Sequence, residues 1–304
     1  MSRYDVVGLG WCTVDYSGLV QRYPALDTKI FVQDFAEGGG GPAANAMVTL
    51  ARLGMKAAFI GKVGDDTRGN RILEDLKAEG VDVASVRVER GQSSQISLII
   101  AEAITGKRTV VYSNGTVSPM KADELDKWLL GSCRLLHLDG HHIEAALEAA
   151  QYAAFHDLPI LVDAGSKRDG IEELLGFADY IVTSAVFARA CSGLPSIQKA
   201  AHDLFKRFRS RAKAVVVTDG EKGGHCVSAA DAFTYRAFPV KTIDSTGAGD
   251  VFHGAFSYGI LRDWDLRKTI RFASAAAALS CRSLGARRGI PTLRSVTAFL
   301  RQQS

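Results

Sequence analysis

The chain has few cysteines, little net charge and no long apolar run, and each shortage argues against a class of protein. Its 304 residues include five cysteines, odd in number and without metal-type spacing (Cys12, Cys133, Cys191, Cys226 and Cys281). We expect reduced thiols and a cytoplasmic protein. A net charge of +4 does not call for nucleic acid. No uninterrupted apolar stretch reaches the length of a membrane span, and we expect no cleavable signal ahead of the first strand pattern.

What is present is the composition of a globular chain, 47% hydrophobic and 23% charged, with a length that fits one large α/β domain. Apolar runs alternate with helical patterns, which favours a mostly parallel sheet with helices on both faces. Strands are predicted at 4–9, 57–61, 134–138, 159–163, 179–183 and 213–218. Helices are predicted at 43–53, 67–79, 142–156, 197–209, 250–261, 265–283 and 292–302. Two segments, 12–37 and 94–113, break this alternation and read as short strands.

A glycine-rich turn with a carboxylate, Asp244-Ser245-Thr246-Gly247-Ala248-Gly249-Asp250, stands directly ahead of an apolar helical segment. Its glycines let backbone N–H groups point into one concavity, and the following helix adds its positive end, so the turn suits an anion. Asp250 is predicted to take a proton from a hydroxyl while the amides of Gly247, Ala248 and Gly249 stabilise a phosphoryl group in transit. The alternative is an ordinary helix start with an acidic first turn.

A second glycine-rich segment, Glu37-Gly38-Gly39-Gly40-Gly41-Pro42-Ala43-Ala44-Asn45, runs straight into a helical pattern that stops at Gly54. Four consecutive glycines allow a small ligand to approach the backbone closely. Asn45 is expected in the first turn of this helix, where its amide offers both a donor and an acceptor to vicinal sugar hydroxyls. The segment could instead be a linker with a capping Asn, although linkers are not followed at once by an apolar helix.

Together the two segments resemble the two signatures of the PfkB (ribokinase-like) family of carbohydrate kinases. Asn45 and Gly54 keep the spacing of the first signature, and 244–250 matches the second except that Ser245 stands where Thr is usual. The resemblance covers nearly the whole chain, with further family-like segments at 6–10, 60–69 and 217–224. Within the family, residues 39–44, 250–255 and 271–274 resemble the ketohexokinase-like and sulfofructose kinase-like branches.

The resemblance implies a ribokinase-like α/β fold in one domain, 1–304, with a small β-sheet lid built from about 12–37 and 94–113. It implies an ATP-dependent kinase that uses Mg²⁺ and a small-molecule sugar, with no nucleic-acid or membrane partner. A monovalent cation such as K⁺ and a homodimer through the lid are left open. The sugar side would comprise Asp15, Gly39, Gly40, Gly41, Asn45, Arg108, Asn114 and His141. The nucleotide side would comprise Thr218, Gly220, Gly223, Thr246 and Gly285, with Arg287 and Arg288 expected as surface charges.

The sequence leaves the metal ligands and the acceptor sugar open. After the strand that ends at Thr183, many relatives carry Asn-x-x-Glu, whereas this chain has Ser184-Ala185-Val186-Phe187. Asp163 and Asp244 are the carboxylates that remain to assist a metal. The resemblance implies either a plain ketohexose or an acidic ketose as the acceptor. A cationic His141 would favour the acid, and a neutral imidazole would suit a hydroxyl.

Two other functions stay open at this point. A nucleoside kinase of the same fold would share the Asp250 chemistry but needs aromatic stacking groups in the lid, such as Tyr112. A non-catalytic sugar or nucleotide sensor would explain the missing Asn-x-x-Glu. A sensor, however, has no need of a base placed at an anion hole.

Overall fold

The structure, a computed structural model, describes residues 3–303. Its strands are β1 (Val6–Leu9), β2 (Thr13–Val20), β3 (Asp34–Gly40), β4 (Ala57–Ile60), β5 (Lys62–Gly64), β6 (Arg87–Glu89), β7 (Ile96–Glu102), β8 (Arg108–Ser113), β9 (Leu135–Leu138), β10 (Ile160–Ala164), β11 (Tyr180–Ser184), β12 (Ala214–Thr218), β13 (Gly224–Ser228) and β14 (Ala232–Tyr235). Its α-helices are α1 (Pro42–Arg52), α2 (Thr67–Ala78), α3 (Lys127–Leu130), α4 (Ile143–Phe155), α5 (Ile171–Leu175), α6 (Ala185–Ser192), α7 (Ile197–Phe208), α8 (Ala248–Leu261), α9 (Leu266–Ser280) and α10 (Leu293–Gln302).

The main sheet has the strand order β14-β13-β12-β11-β10-β9-β1-β4. From β12 to β4 all neighbouring strands are parallel, while β13 and β14 are antiparallel. The six predicted strands form this parallel part, each within two residues of its expected bounds. The antiparallel hairpin at the edge was not predicted, because β13 and β14 mix polar and apolar residues and lack the continuous apolar run of the parallel strands.

Helices cover both faces of the main sheet, as predicted. Successive strand residues point to opposite faces, so Val6 belongs to a core with α1, α8 and α9, and Val7 to a core with α4 and α7. All seven predicted helices form, although α9 ends at Ser280 rather than at 283. The short helices α3, α5 and α6 were not predicted. Within residues 3–303, no helix is long and apolar enough to cross a membrane.

A second, four-stranded sheet of order β3-β2-β7-β8 forms the small sheet expected as a lid. The register pairs Asp15 with Gly38 and Ser97, and Ser97 with Tyr112, so these residues share one face, which we call the inner face of the lid. The glycine segment differs from the expected turn. Its first residues complete β3, and only Gly41, directly before α1, has a positive φ, of 94°.

Candidate active site

The strand order of the main sheet reverses between β1 and β9, and ligands of open α/β sheets bind beyond the carboxyl ends of the strands at such a point. Asp139, directly after β9, holds together the loops that meet there. Its carboxylate accepts hydrogen bonds from the backbone N–H groups of Trp11 (2.8 Å), Ala43 (3.1 Å) and His141 (3.0 Å). The end of β1 and the start of α1 are therefore fixed on one crevice by a buried carboxylate that the sequence analysis did not single out.

Asp250 and Asn45 meet in this crevice although 205 residues separate them. Asn45 Nδ2 donates a hydrogen bond of 2.8 Å to Asp250 Oδ2. Each residue lies in the first turn of its helix, α8 or α1. One turn further along α8, Gly254 allows the two helices to pack closely, because a Cβ there would lie 2.7 Å from the Ala46 carbonyl oxygen. This helix packing joins the two motifs that the sequence showed separately.

The start of α8 is open to an anion. Its N-cap, Gly247, has a φ of 74° and offers no side-chain cap. The N–H groups of the first helical turn have no intrahelical acceptor. A Cβ at Gly249 would meet no atom within 4 Å, so there is space beside its backbone. Of the three predicted donors, the Ala248 N–H already lies 3.3 Å from the Ser245 carbonyl oxygen, which makes Gly249 the more accessible amide.

The carboxylate of Asp250 ionises close to neutral pH. Burial and then the negative charge of Asp163 raise the pKa of Asp250 to about 7, against the opposing effects of Asn45, His253 and Arg108. Asp163 Oδ2 lies 2.7 Å from His253 Nδ1, and both side chains are buried. Burial disfavours the imidazolium form of His253, but the negative charges of Asp163 and Asp250 raise its pKa overall. Burial acts to raise the pKa of Asp163, but the charge of His253 lowers it overall. A carboxyl group whose pKa lies near 7 is suited to general base catalysis.

Asp15 and Arg108 extend from the lid toward the crevice. Asp15 is buried, accepts a 2.6 Å hydrogen bond from Thr13 Oγ1, and lies against Gly40, where a Cβ would overlap its carboxylate. Burial raises the pKa of Asp15, although hydrogen bonds and a nearby arginine oppose the change. Arg108 is exposed and reaches the turn before α8, with its Nη1 3.4 Å from Ser245 Oγ. Asn114, by contrast, stays exposed beyond the end of β8.

An aromatic wall lies at the far end of the crevice, around His141. The Trp11 ring stands edge-on to His141, with centroids 3.9 Å apart, and edge-on to Tyr112 of the lid at 5.9 Å. Burial, and then the charge of Arg168, lower the pKa of His141 to about 2, so the imidazole is neutral. Arg168 Nη2 donates to Ser166 Oγ, while its Nη1 is buried and makes no hydrogen bond within residues 3–303. The cation at this end is therefore Arg168, not His141.

The residues predicted for the nucleotide fall into two groups. Thr246 and Gly285 share Asp244, whose carboxylate accepts from the Thr246 N–H (2.8 Å) and hydroxyl (2.6 Å) and from the Gly285 N–H (2.8 Å). Thr218, by contrast, ends β12, and Gly220 and Gly223 belong to the turn that follows it. Asp244 thus connects the turn before α8 to the segment around Gly285. The turn after β12 is a separate group of the predicted nucleotide residues.

The sequence expectation for Arg287 was wrong, because this side chain is buried and only 6% exposed. Its Nε donates to Asn45 Oδ1 at 2.9 Å and its Nη2 to the Gly40 carbonyl at 3.1 Å. A Cβ at Gly39 would overlap the guanidinium, which explains the need for glycine there. No local pattern could have revealed contacts between residues more than 240 positions apart. Arg288 is exposed, as expected.

No group of three or more acidic, histidine or cysteine side chains within residues 3–303 could hold a metal ion. The two carboxylates left open by the sequence are engaged with protein groups, Asp244 with backbone and hydroxyl donors and Asp163 with His253. At the position where the resemblance would place Asn-x-x-Glu, Ser184 caps α6 by accepting from the Phe187 N–H at 3.0 Å. A magnesium ion here would rely mainly on phosphate and water oxygens, as Mg²⁺ usually does.

A carboxyl group with a pKa near neutrality, placed beside an uncapped helix start and near a small second sheet, is an arrangement suited to the phosphorylation of small molecules. Comparison with protein families matches residues 4–293 to the pfkB family carbohydrate kinase. The chain therefore belongs to the pfkB family, and it is an ATP-dependent carbohydrate kinase with a ribokinase-like fold.

Relatives of known name agree with this assignment. The chain is 27% identical to 5-dehydro-2-deoxygluconokinase of Clostridium perfringens, over 99% of this chain and 94% of that protein. It is 28% identical to ribokinase of Bacillus subtilis, over 97% and 99% of the two chains. Among solved structures, a putative ribokinase from Agrobacterium tumefaciens superposes with a TM-score of 0.92 at 27% identity, covering 99% and 98% of the two chains.

Proposed function

We propose that this enzyme transfers the γ-phosphoryl group of ATP to a hydroxyl of an acidic ketose, with Asp250 as the general base. The observation that carries the proposal is the 2.8 Å contact between Asn45 and Asp250. It brings a group suited to sugar hydroxyls within hydrogen-bonding distance of a carboxylate at an open helix N-terminus. A hydroxyl bound by Asn45 would therefore lie next to the base and the anion hole.

Asp250 accepts the hydroxyl proton as the sugar oxygen bonds to the γ-phosphorus of ATP and the bond from that phosphorus to the β,γ-bridging oxygen breaks, which releases ADP. The pKa of about 7 places Asp250 near the pH at which such proton transfer is efficient. The Gly249 amide and its neighbours in the first turn of α8 stabilise the charge that develops on the phosphoryl oxygens. Thr218 at the end of β12, with Gly220 and Gly223 of the turn that follows it, lines the nucleotide side together with Thr246 and Gly285. Bound Mg²⁺–ATP supplies the phosphoryl group and the divalent charge that neutralises it.

An acidic acceptor is favoured by the cation at the far end of the crevice. Arg168 has a buried Nη1 with no hydrogen bond in the described part of the chain, and it lies beside the neutral His141. A carboxylate, sulfonate or phosphate on the sugar would satisfy that donor, because arginine N–H groups form strong, charge-assisted hydrogen bonds to anionic oxygens. The name of one relative, 5-dehydro-2-deoxygluconokinase, denotes a keto-sugar acid as well.

The proposal is tested by ATP consumption with Mg²⁺ across a panel of acceptors. The panel holds fructose, tagatose, ribose, 6-deoxy-6-sulfofructose, fructose 6-phosphate, 2-keto-3-deoxygluconate, 5-dehydro-2-deoxygluconate and adenosine. We expect an acidic ketose to give the highest kcat/KM and Arg168→Met to reduce it far more for that acceptor than for fructose. Lys167→Met, an exposed neighbour, is the matched control.

Other results of this panel would contradict the proposal in distinct ways. Preference for adenosine would favour a nucleoside kinase, for which Trp11 and Tyr112 offer stacking surfaces. Binding of ATP and sugar without turnover would favour a sensor. Equal losses for acidic and neutral sugars in Arg168→Met would remove the acidic specificity while leaving the kinase reaction intact.

Three further features belong to this proposal. The outer face of the lid exposes Phe35, Leu98 and Val111, and an apolar patch of this kind supports a homodimer through the lid, which light scattering would test. We also propose a monovalent cation near the hydrogen bond between Asp244 and Gly285. If one binds there, the kinase rate should be higher in potassium chloride than in choline chloride. We place the enzyme in the cytoplasm, where its free cysteines stay reduced and ATP is available.

A further inference from the structure

Arg287 connects three parts of the sugar side. Its Nε donates to Asn45 Oδ1, its Nη2 donates to the carbonyl of Gly40, and its guanidinium packs on the bare backbone of Gly39. Asp15 and Arg287 also line one cavity of about 240 Å³ beside α2, and Asp15 is the largest favourable charge acting on the arginine. One buried side chain thus touches or faces much of the predicted sugar floor.

The chemistry of the guanidinium determines which way the Asn45 amide points. Arginine has five N–H donors and no acceptor, so only the Asn45 carbonyl oxygen can face it. The amide nitrogen must then face Asp250, where it donates the 2.8 Å bond. If the amide turned over, its oxygen would lie against the Asp250 carboxylate and its N–H₂ against the guanidinium, and both contacts would be repulsive. The arginine therefore controls a hydrogen bond to the base that it does not itself make.

The backbone around Arg287 is held by the helix that carries Asn45. Arg52, the last residue of α1, donates through Nη1 to the carbonyls of Arg287 (2.9 Å) and Ile290 (2.7 Å). Its other nitrogens pair with Glu79 at 2.6 and 2.8 Å. The C-terminus of α1 thus fixes the 287–290 segment, and Arg287 returns from that segment to the N-terminal turn of α1. Its guanidinium has little freedom to move.

A buried cation is costly unless something in the protein requires it. No carboxylate of the described residues lies within ion-pair distance of Arg287, and burial lowers its pKa, against the favourable charge of Asp15. An apolar side chain of similar length would avoid this desolvation. The desolvation of Arg287 is explained if its positive charge and its planar set of N–H donors are needed to arrange the site.

We propose that Arg287 is a positioning residue of the phosphotransfer reaction: it orients the Asn45 amide so that the N–H faces Asp250, and it fixes the Gly40 backbone beside Asp15. This inference rests on the proposed function for its kinetic effects. It does not make Arg287 a catalytic residue, because its contacts reach the base only through Asn45.

The first test compares Arg287→Met with Arg288→Met, a substitution of the exposed neighbour. We expect Arg287→Met to lower kcat/KM by about 10- to 100-fold, through a higher sugar KM as well as a lower kcat, since buried acceptors lose their donors. The acidic limb of the pH profile of kcat/KM should move to higher pH. Asp163, His253 and Arg108, the other charged groups that act on Asp250, are unchanged in both variants. A purely structural role would lower stability and leave KM and the pH limb unchanged, which would overturn the inference.

Two companion variants separate charge from geometry and direct from indirect action. Arg287→Lys keeps the charge but has no planar fork, so it should recover only part of the lost activity, and methylguanidinium should raise the activity of Arg287→Ala. Because Arg287 acts on Asp250 through Asn45, the double variant with Asn45→Ala should lose clearly less than the sum of the two single losses. Full additivity of the two losses would show that Arg287 acts independently of Asn45.

A stability measurement tests the inference even if no acceptor is found. The free energy of unfolding can be compared between the wild-type protein and Asp250→Asn at several pH values. The pH dependence of this difference reports the Asp250 pKa and needs no turnover. Measured in the wild-type and Arg287→Met backgrounds, this difference should place the Asp250 pKa higher in the variant. An unchanged pKa would overturn the inference whatever the panel shows. A changed pKa with no kinase activity would contradict only the proposed function.

Discussion

Replacing Asp250 by Asn should stabilise the protein at pH 8 while abolishing turnover. Because the folded pKa of Asp250 is raised from 3.8 to about 7, folding opposes its ionisation. The resulting destabilisation is complete above about pH 7 and disappears as the pH falls toward 3.8. About three units at about 1.36 kcal/mol each give about 4 kcal/mol. Allowing for the solvent that reaches this partly exposed carboxylate, we expect a gain of about 2–4 kcal/mol at pH 8.

Thermal unfolding at several pH values would measure this gain. For a chain of 304 residues the unfolding entropy is about 0.6 kcal/mol/K, so Tm should rise by about 3–6 °C at pH 8. At pH 5 the gain should be less than half as large, since less of the titration range is spanned. Asp169→Asn, at an exposed position, is the control and should change Tm little. A Tm for Asp250→Asn at or below the wild-type value at pH 8, or a gain independent of pH, would refute the electrostatic argument.

Four more substitutions test other parts of the site and fold. Asn45→Ala should raise the sugar KM about tenfold, and an unchanged KM would remove Asn45 from the pocket. Asp163→Asn removes a negative charge that acts on Asp250, so the acidic limb of kcat/KM should move to lower pH, whereas a move to higher pH would contradict this account. Gly254→Ala should separate α1 from α8 and lower both Tm and kcat, because its Cβ would lie 2.7 Å from the Ala46 carbonyl oxygen; wild-type values of both would show that the helices need not be so close. Asp66→Ala should cost about 1 kcal/mol by removing the N-cap of α2. Hydrogen bonds from Ser94 and Gly69 lower the pKa of Asp66 to about 2 despite partial burial, so this contribution should persist above pH 4 and fade as the pH approaches 2.

The local sequence was sufficient for the six parallel strands, the seven longer helices and the individual motif residues. Buried parallel strands are continuous apolar runs, and helices repeat every 3.6 residues, so β1, β9 and α8 could be recognised from a few neighbouring side chains. Asp250 could be recognised as a candidate in the same way, because the seven residues 244–250 place a carboxylate directly after two glycines at the start of a helix, which is an unusual combination. The lid segments showed themselves by breaking the alternation of strands and helices.

What the tertiary structure decided is which of these groups meet. Asn45 touches Asp250 only because α1 and α8 pack closely at Gly254, and Asp139 receives its donors only because the strand order reverses between β1 and β9. The burial of Arg287 could not be inferred from its surroundings in the sequence, which contain a second arginine and two glycines and resemble a surface loop. Periodicity reports which face of an element is apolar, but contacts between distant segments depend on how the sheet and helices assemble, and the pKa of a carboxylate depends on those contacts. The sequence alone therefore determined the parallel strands, the longer helices and the candidate residues of the two glycine-rich motifs, while the packing of α1, α8 and the 287 segment decided their arrangement.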